Sequence, residues 1–134
     1  MDSVPRVLLV DDDGGVRTVL NIVLRAAGFE VLLADSGEQG LQIFREQERV
    51  DVILTDLRMG GMQGTELIAA VRKLDQDVPI IVLTGNDPGC VPEGASLLLA
   101  KPVQSGVLIE ALRNVSLLHS GHVRLGTVPE AEDA

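Results

Sequence analysis

The chain of 134 residues contains no tryptophan and no tyrosine, and Phe29 and Phe44 are its only aromatic residues. Stacking platforms for single-stranded nucleic acid are therefore missing. Basic residues are also few: 11 Lys and Arg face 20 Asp and Glu, for a net charge of −9. Phosphate backbones are bound through basic patches, so this balance argues against DNA or RNA as a direct partner. The single cysteine, Cys90, excludes an internal disulfide and suits a reducing compartment. No apolar run approaches the ~20 residues of a membrane span. The opening Met1-Asp2-Ser3-Val4-Pro5 lacks the shape of a signal peptide. The expectation is a cytoplasmic, acidic, single-domain protein with no membrane insertion, large enough to bury a core unaided.

What is present is aliphatic and arranged in short blocks. Arg6-Val7-Leu8-Leu9-Val10 reads as a strand buried on both faces, running into Asp11-Asp12-Asp13-Gly14-Gly15. A helix is expected from about Val16 to Ala27, with Val16, Val19, Leu20, Val23 and Ala27 covering the sheet and Gly28 closing it. Phe29 to Ala34 is the next strand. Ser36-Gly37-Glu38-Gln39 matches a capping box that opens a helix through Leu41, Ile43 and Phe44. The strand Val50 to Asp56 follows, then the turn Leu57-Arg58-Met59-Gly60-Gly61-Met62-Gln63-Gly64 and a helix carrying Leu67, Ile68, Val71 and Leu74. Pro79 to Leu83 is a fourth strand, ending in Thr84. Ser96 to Ala100 is a fifth, ending in Lys101-Pro102. A last helix is expected from about Gln104 to Leu118, with Val107, Leu108, Ala111, Leu112, Val115 and Leu118 on one broad face.

Strands alternating with helices imply right-handed βαβ units and a parallel sheet. One link departs from this. Residues 85–95 hold two prolines and three glycines, which leaves no room for a helix of normal length. Residues 119–134 lack an apolar period and are expected to be a disordered tail. The organisation is thus one domain over residues 1–118.

Every strand of an open parallel sheet presents its carboxyl end on one edge, and ligands bind there. That edge would collect Asp11, Asp12 and Asp13, then Asp56, Thr84 and Lys101. Crowded carboxylates repel unless a cation neutralises them. A hard divalent cation such as Mg²⁺ suits oxygen ligands and leaves room for phosphate oxygens. With it, a carboxylate can attack phosphorus while Lys101 and Thr84 offset charge on the transferring group. The implied chemistry is phosphoryl transfer to an aspartate.

The motifs Val-Leu-Leu-Val-Asp-Asp, Ile-Leu-Thr-Asp-Leu-Arg-Met, Ile-Ile-Val-Leu-Thr-Gly and Leu-Ala-Lys-Pro, in that order, resemble the receiver domain of two-component response regulators over residues 5–118. The resemblance implies a flavodoxin-like, doubly wound α/β fold: a five-stranded parallel sheet in the order 2-1-3-4-5, here with the fourth helix shortened or missing. It also implies Asp56 as phosphoacceptor and Asp11, Asp12, Asp56 and the Arg58 backbone carbonyl as Mg²⁺ ligands. Thr84 and Lys101 would bind the phosphoryl group, and Lys101-Pro102 would be cis. The donor would be a sensor histidine kinase or histidine phosphotransfer protein, reached through an apolar flank of the first helix at Ile22 and Ala26. Such a protein is not an enzyme in the usual sense; it assists its own phosphorylation and dephosphorylation. Gly60 and Gln63 stand where the family usually has Pro and Asp, which predicts a looser turn after Asp56. Leu98 stands where many members carry an aromatic switch residue.

Simpler roles exist for several of these residues. Asp13 suits a helix cap better than a ligand. The turn 60–64 lacks the Lys-Ser/Thr ending of a phosphate loop. His119, His122 and Cys90 have no recognisable partners. Two other readings compete. Asp11-Asp12-Asp13-Gly14 also matches the opening of haloacid-dehalogenase-type phosphatases, with Asp11 as nucleophile and Asp13 as acid, although that leaves Asp56 unexplained. Alternatively the domain docks partners independently of phosphorylation.

Overall fold

The computed structural model describes residues 4–85 and 91–119, the last four as backbone only. Strands β1 (Arg6–Val10), β2 (Glu30–Ala34), β3 (Val52–Asp56), β4 (Ile80–Thr84) and β5 (Leu97–Ala100) form one sheet in the order β2-β1-β3-β4-β5. All four pairings are parallel, as expected from the alternation of elements. Helices α1 (Gly14–Ala26), α2 (Gly37–Glu46), α3 (Gly64–Leu74) and α4 (Ser105–His119) cover the faces.

The central strands are apolar throughout because alternate side chains enter two separate cores. Leu8, Val10, Ile53, Ile80 and Val82 pack with Leu67, Ile68 and Val71 of α3. Val7, Leu9, Val52, Leu54, Ile81 and Leu83 point the other way, onto Leu24 of α1 and Leu108 and Leu112 of α4. The Ser36 hydroxyl accepts the Gln39 N–H at 3.1 Å, as a capping box requires. The reciprocal bond lands one residue early, with Gln39 Oε1 accepting from the Asp35 N–H.

Three apolar positions lie elsewhere than their spacing suggests. Val19 is 58% exposed, and its expected place in the core belongs to Leu24, with Leu20 and Ala27 at the flanks. Leu74 and Val107 are about half exposed, at the last and first turns of their helices.

Among the described residues no helix joins β4 to β5. Residues 86–90, including Cys90, lie outside the described residues, as do 120–134 with His122. Residues 91–95 are irregular and strap onto α3. The Gly94 carbonyl accepts from Arg72 Nε at 2.9 Å. Gly94 has φ +90°, and a Cβ there would fall 2.7 Å from the Ile68 side chain, so glycine is required for this approach. Ala95 and Leu98 complete this side of the core. Helix α4 runs to His119, one residue into the stretch expected to be a tail, and the rest of that stretch lies outside the described residues.

Candidate functional site

Where β1 ends, the Asp11 N–H still bonds the Ala34 carbonyl of β2 at 3.1 Å, so Asp11 leaves the sheet fully buried. Its carboxylate accepts the Asp13 N–H at 2.9 Å, and the Arg17 guanidinium donates to its carbonyl at 2.8 Å. Asp13 turns the other way and caps α1, accepting from the Gly15 and Val16 N–H groups. Asp12, between them, is exposed and accepts the Gly60 N–H at 3.0 Å.

Asp56 ends β3 partly buried, one carboxylate oxygen accepting from the Leu57 N–H at 2.8 Å. The turn beyond it is tightly held, contrary to the looser turn expected from Gly60 and Gln63. The Gln63 side chain accepts from the Met59 N–H and donates to the Met59 carbonyl. Glu38 of α2 accepts the Met62 N–H at 3.1 Å, and the Gly64 N–H closes the turn on the Leu57 carbonyl at 2.8 Å. A Cβ at Gly64 would sit 2.5 Å from the Asp56 carbonyl, so only glycine lets α3 start this close to the strand end.

Thr84 is buried at the end of β4, and its carbonyl accepts the Lys101 N–H at 2.8 Å. The Lys101-Pro102 peptide is cis, as the resemblance implied. Lys101 Nζ reaches Asp56 Oδ2 at 3.2 Å and Asp11 Oδ2 at 3.5 Å. One carboxylate oxygen from each of Asp11, Asp12 and Asp56 lies within 4.8 Å of the others. Burial pushes the Asp11 carboxyl above its ordinary range; the Asp56 charge adds to this, while the Asp13 N–H and Lys101 oppose it. Burial alone would lower Lys101, but the Asp11 and Asp56 carboxylates outweigh it and raise the ammonium above its usual value.

The fold therefore brings Asp11, Asp12, Asp56 and Lys101 into one cluster, with Thr84 at the adjoining strand end and Arg58 exposed in the turn. Asp13 stands apart as a cap, which leaves the phosphatase reading without its general acid. Sequence reasoning missed the grips of Arg17, Glu38 and Gln63. The one available signal was Gln63 itself, taken only as a departure from Asp. Beside the cluster, an open groove of about 770 Å³ is lined by Val16, Val19, Leu20, Leu83, Pro102 and Val103, among others.

Residues 7–113 match the family model described as the response regulator receiver domain. The chain is a receiver domain of the two-component response regulators. As such it belongs to the phosphoacceptors of two-component signalling. This receiver is 38% identical over 110 residues to the transcriptional regulatory protein GlrR of Escherichia coli K12, covering 78% of this chain and 24% of GlrR. A response regulator receiver domain protein from Clostridium thermocellum superposes with a TM-score of 0.83 at 28% identity, covering 90% of this chain and 100% of the other. TrrA of Thermotoga maritima, solved in complex with Mg²⁺-BeF, gives 0.77 at 28% identity, covering 83% and 98%. The receiver spans between 15% and 51% of the length of curated relatives it matches. Among its described residues no helix is long and apolar enough to cross a membrane.

Proposed function

We propose that Asp56 accepts a phosphoryl group from the phosphohistidine of a sensor histidine kinase or histidine phosphotransfer protein. One observation carries this reading: Lys101 Nζ lies 3.2 Å from the Asp56 carboxylate within a cluster of three carboxylates. A carboxylate oxygen of Asp56 attacks phosphorus, the N–P bond breaks, and its electron pair returns to the imidazole, which gains a proton. The product is an acyl phosphate. Lys101 and the Thr84 hydroxyl bind the phosphoryl oxygens, as residues at adjoining strand ends can.

The donor set fits Mg²⁺, since three carboxylates face a single Lys and hard oxygen ligands suit a small divalent ion. Asp11, Asp12, Asp56 and the Arg58 carbonyl would hold it, and it would neutralise charge on the transferring group. The same residues would assist hydrolysis of the acyl phosphate, so the domain takes part in its own dephosphorylation without being a turnover enzyme. The donor would approach over the groove beside α1.

Intact mass after treatment with a small acyl phosphate and Mg²⁺ tests the assignment. Wild type should gain one base-labile phosphoryl adduct, and Asp56→Asn none. An adduct that survives in Asp56→Asn and disappears in Asp11→Asn would reverse the roles of the two aspartates.

A further inference from the structure

We infer that Gln63 is a positioning residue for the divalent cation, holding the Arg58–Met59–Gly60 backbone against Asp12. The inference rests on the proposed cation site above and extends it to a side chain outside the cluster.

Two consecutive peptide planes make the argument. In the first, the Met59 N–H donates to Gln63 Oε1 at 3.3 Å. A trans peptide is planar, with its C=O opposite its N–H, so the Arg58 carbonyl is turned to the side away from Gln63. In the second plane, the Met59 carbonyl accepts from Gln63 Nε2. Its opposite end, the Gly60 N–H, donates to Asp12 Oδ2 at 3.0 Å. One side-chain amide thus grips the same side of both planes, and the far side of the second lies on an acidic-cluster carboxylate. Only a group with both an acceptor and a donor can do this, and Gln supplies both.

The turn needs such a brace because it has no proline and contains Gly60 and Gly61 in sequence, with Gly61 at φ +76°. Two adjacent glycines leave the backbone with many alternatives in the absence of a clamp. Gln63 is itself anchored, since its N–H donates to Glu66 at 2.8 Å in the first turn of α3. Outer-sphere hydrogen bonds of this kind orient metal ligands, and their loss typically costs about 10- to 100-fold in metal affinity.

The test is Mg²⁺ affinity, measured by calorimetry and by amide chemical shifts because no Trp or Tyr is present as a probe. Gln63→Met keeps the side-chain length and removes both hydrogen bonds, and should weaken Mg²⁺ binding about tenfold. Asp13→Ala, which releases the cap of α1 without touching the Gln63–Met59 bonds, should lower stability and leave Mg²⁺ affinity within twofold. If Gln63→Met does not fold, Gln63→Asn, whose amide is one methylene too short to reach both groups, is measured against the same tenfold expectation. Affinity unchanged in a folded Gln63 variant, with Asp12→Asn weakened, would overturn the positioning role alone. Affinity unchanged in Asp12→Asn and Asp56→Asn as well would remove the cation site beneath it.

Discussion

Lys101 Nζ bridges two carboxylates, lying 3.2 Å from Asp56 and 3.5 Å from Asp11, although 45 and 90 residues separate it from them. The two distances give the same side chain opposite effects on two steps. As a cation beside the cluster, Lys101 repels an incoming Mg²⁺. As the proposed donor to the transferring group, it would stabilise charge that develops only during reaction. Lys101→Met should therefore bind Mg²⁺ severalfold more tightly and yet take phosphoryl from a small donor about 10²-fold more slowly. Calorimetry and single-turnover phosphorylation separate the two effects. A variant weaker in both would mean that Lys101 chiefly holds the site together.

Asp11 is the costliest member of the cluster. Burial raises its carboxyl above the ordinary range, so the folded state holds this proton more tightly than the unfolded chain. Its contribution to stability is accordingly present below the ordinary carboxyl range and is lost as pH rises through the raised value. Lys101 has a dependence of the same sign in an alkaline window: its raised ammonium stabilises below the ordinary lysine range, and the benefit is lost as pH rises through the folded value. Asp11→Asn should therefore raise the melting temperature of the metal-free protein at pH 7, by about 4 °C for each kcal/mol relieved. The gain should shrink in acid. Saturating Mg²⁺ should stabilise wild type and not the variant. A lower melting temperature for metal-free Asp11→Asn would show that its bonds to Lys101 and the Asp13 N–H outweigh its burial.

Three successive aspartates have three separate tasks. Asp12→Ala should abolish Mg²⁺ binding and Mg²⁺-dependent phosphorylation, because it removes a proposed ligand and the acceptor of the Gly60 N–H together. Asp13→Ala should leave Mg²⁺ affinity and phosphorylation intact while costing about 1 kcal/mol for the lost cap of α1. Urea unfolding reads the second effect and calorimetry the first. Equal losses of Mg²⁺ affinity in both variants would mean that the acidic pair has been misassigned.

The strands and the strand-end site were legible because buried parallel strands are continuous apolar runs, and four of the five end in or run into Asp11, Asp56, Thr84 or Lys101. Helix phase was not. In α1 nearly every apolar position is filled, including Val16, Val19, Leu20, Ile22, Val23, Leu24, Ala26 and Ala27. At about 100° per residue, Val19 and Leu24 lie about 140° apart, and spacing alone does not choose between them. The sheet chose Leu24. Contacts that depend on turn geometry were equally hidden. Nothing in the sequence placed Gly94 against Ile68 or gave Gln63 both ends of Met59, because each needs a positive-φ glycine within or beside the contact.

That phase decides where a phosphodonor would dock. The expected patch of Ile22 and Ala26 is exposed, and Val19 joins it, so the flank is larger than spacing suggested. Ile22 is 63% and Val19 58% exposed. Val19 also lines the groove that runs past Val16 and Leu83 to Lys101, which connects the flank to the phosphoacceptor cluster. A helix of a donor protein could bury its apolar face here and bring its phosphohistidine over Asp56. Neither residue belongs to the buried core, so an acidic substitution should leave the fold intact. Ile22→Asp and Val19→Asp should keep wild-type Mg²⁺ affinity and small-donor phosphorylation. Both should slow transfer from the cognate phosphohistidine protein by tenfold or more, about 1.4 kcal/mol in docking. Val107→Asp, at a comparably exposed apolar position on α4, serves as the control and should transfer normally. If Val107→Asp slows transfer as much as Ile22→Asp does, added negative charge is responsible and the α1 flank is not the docking surface.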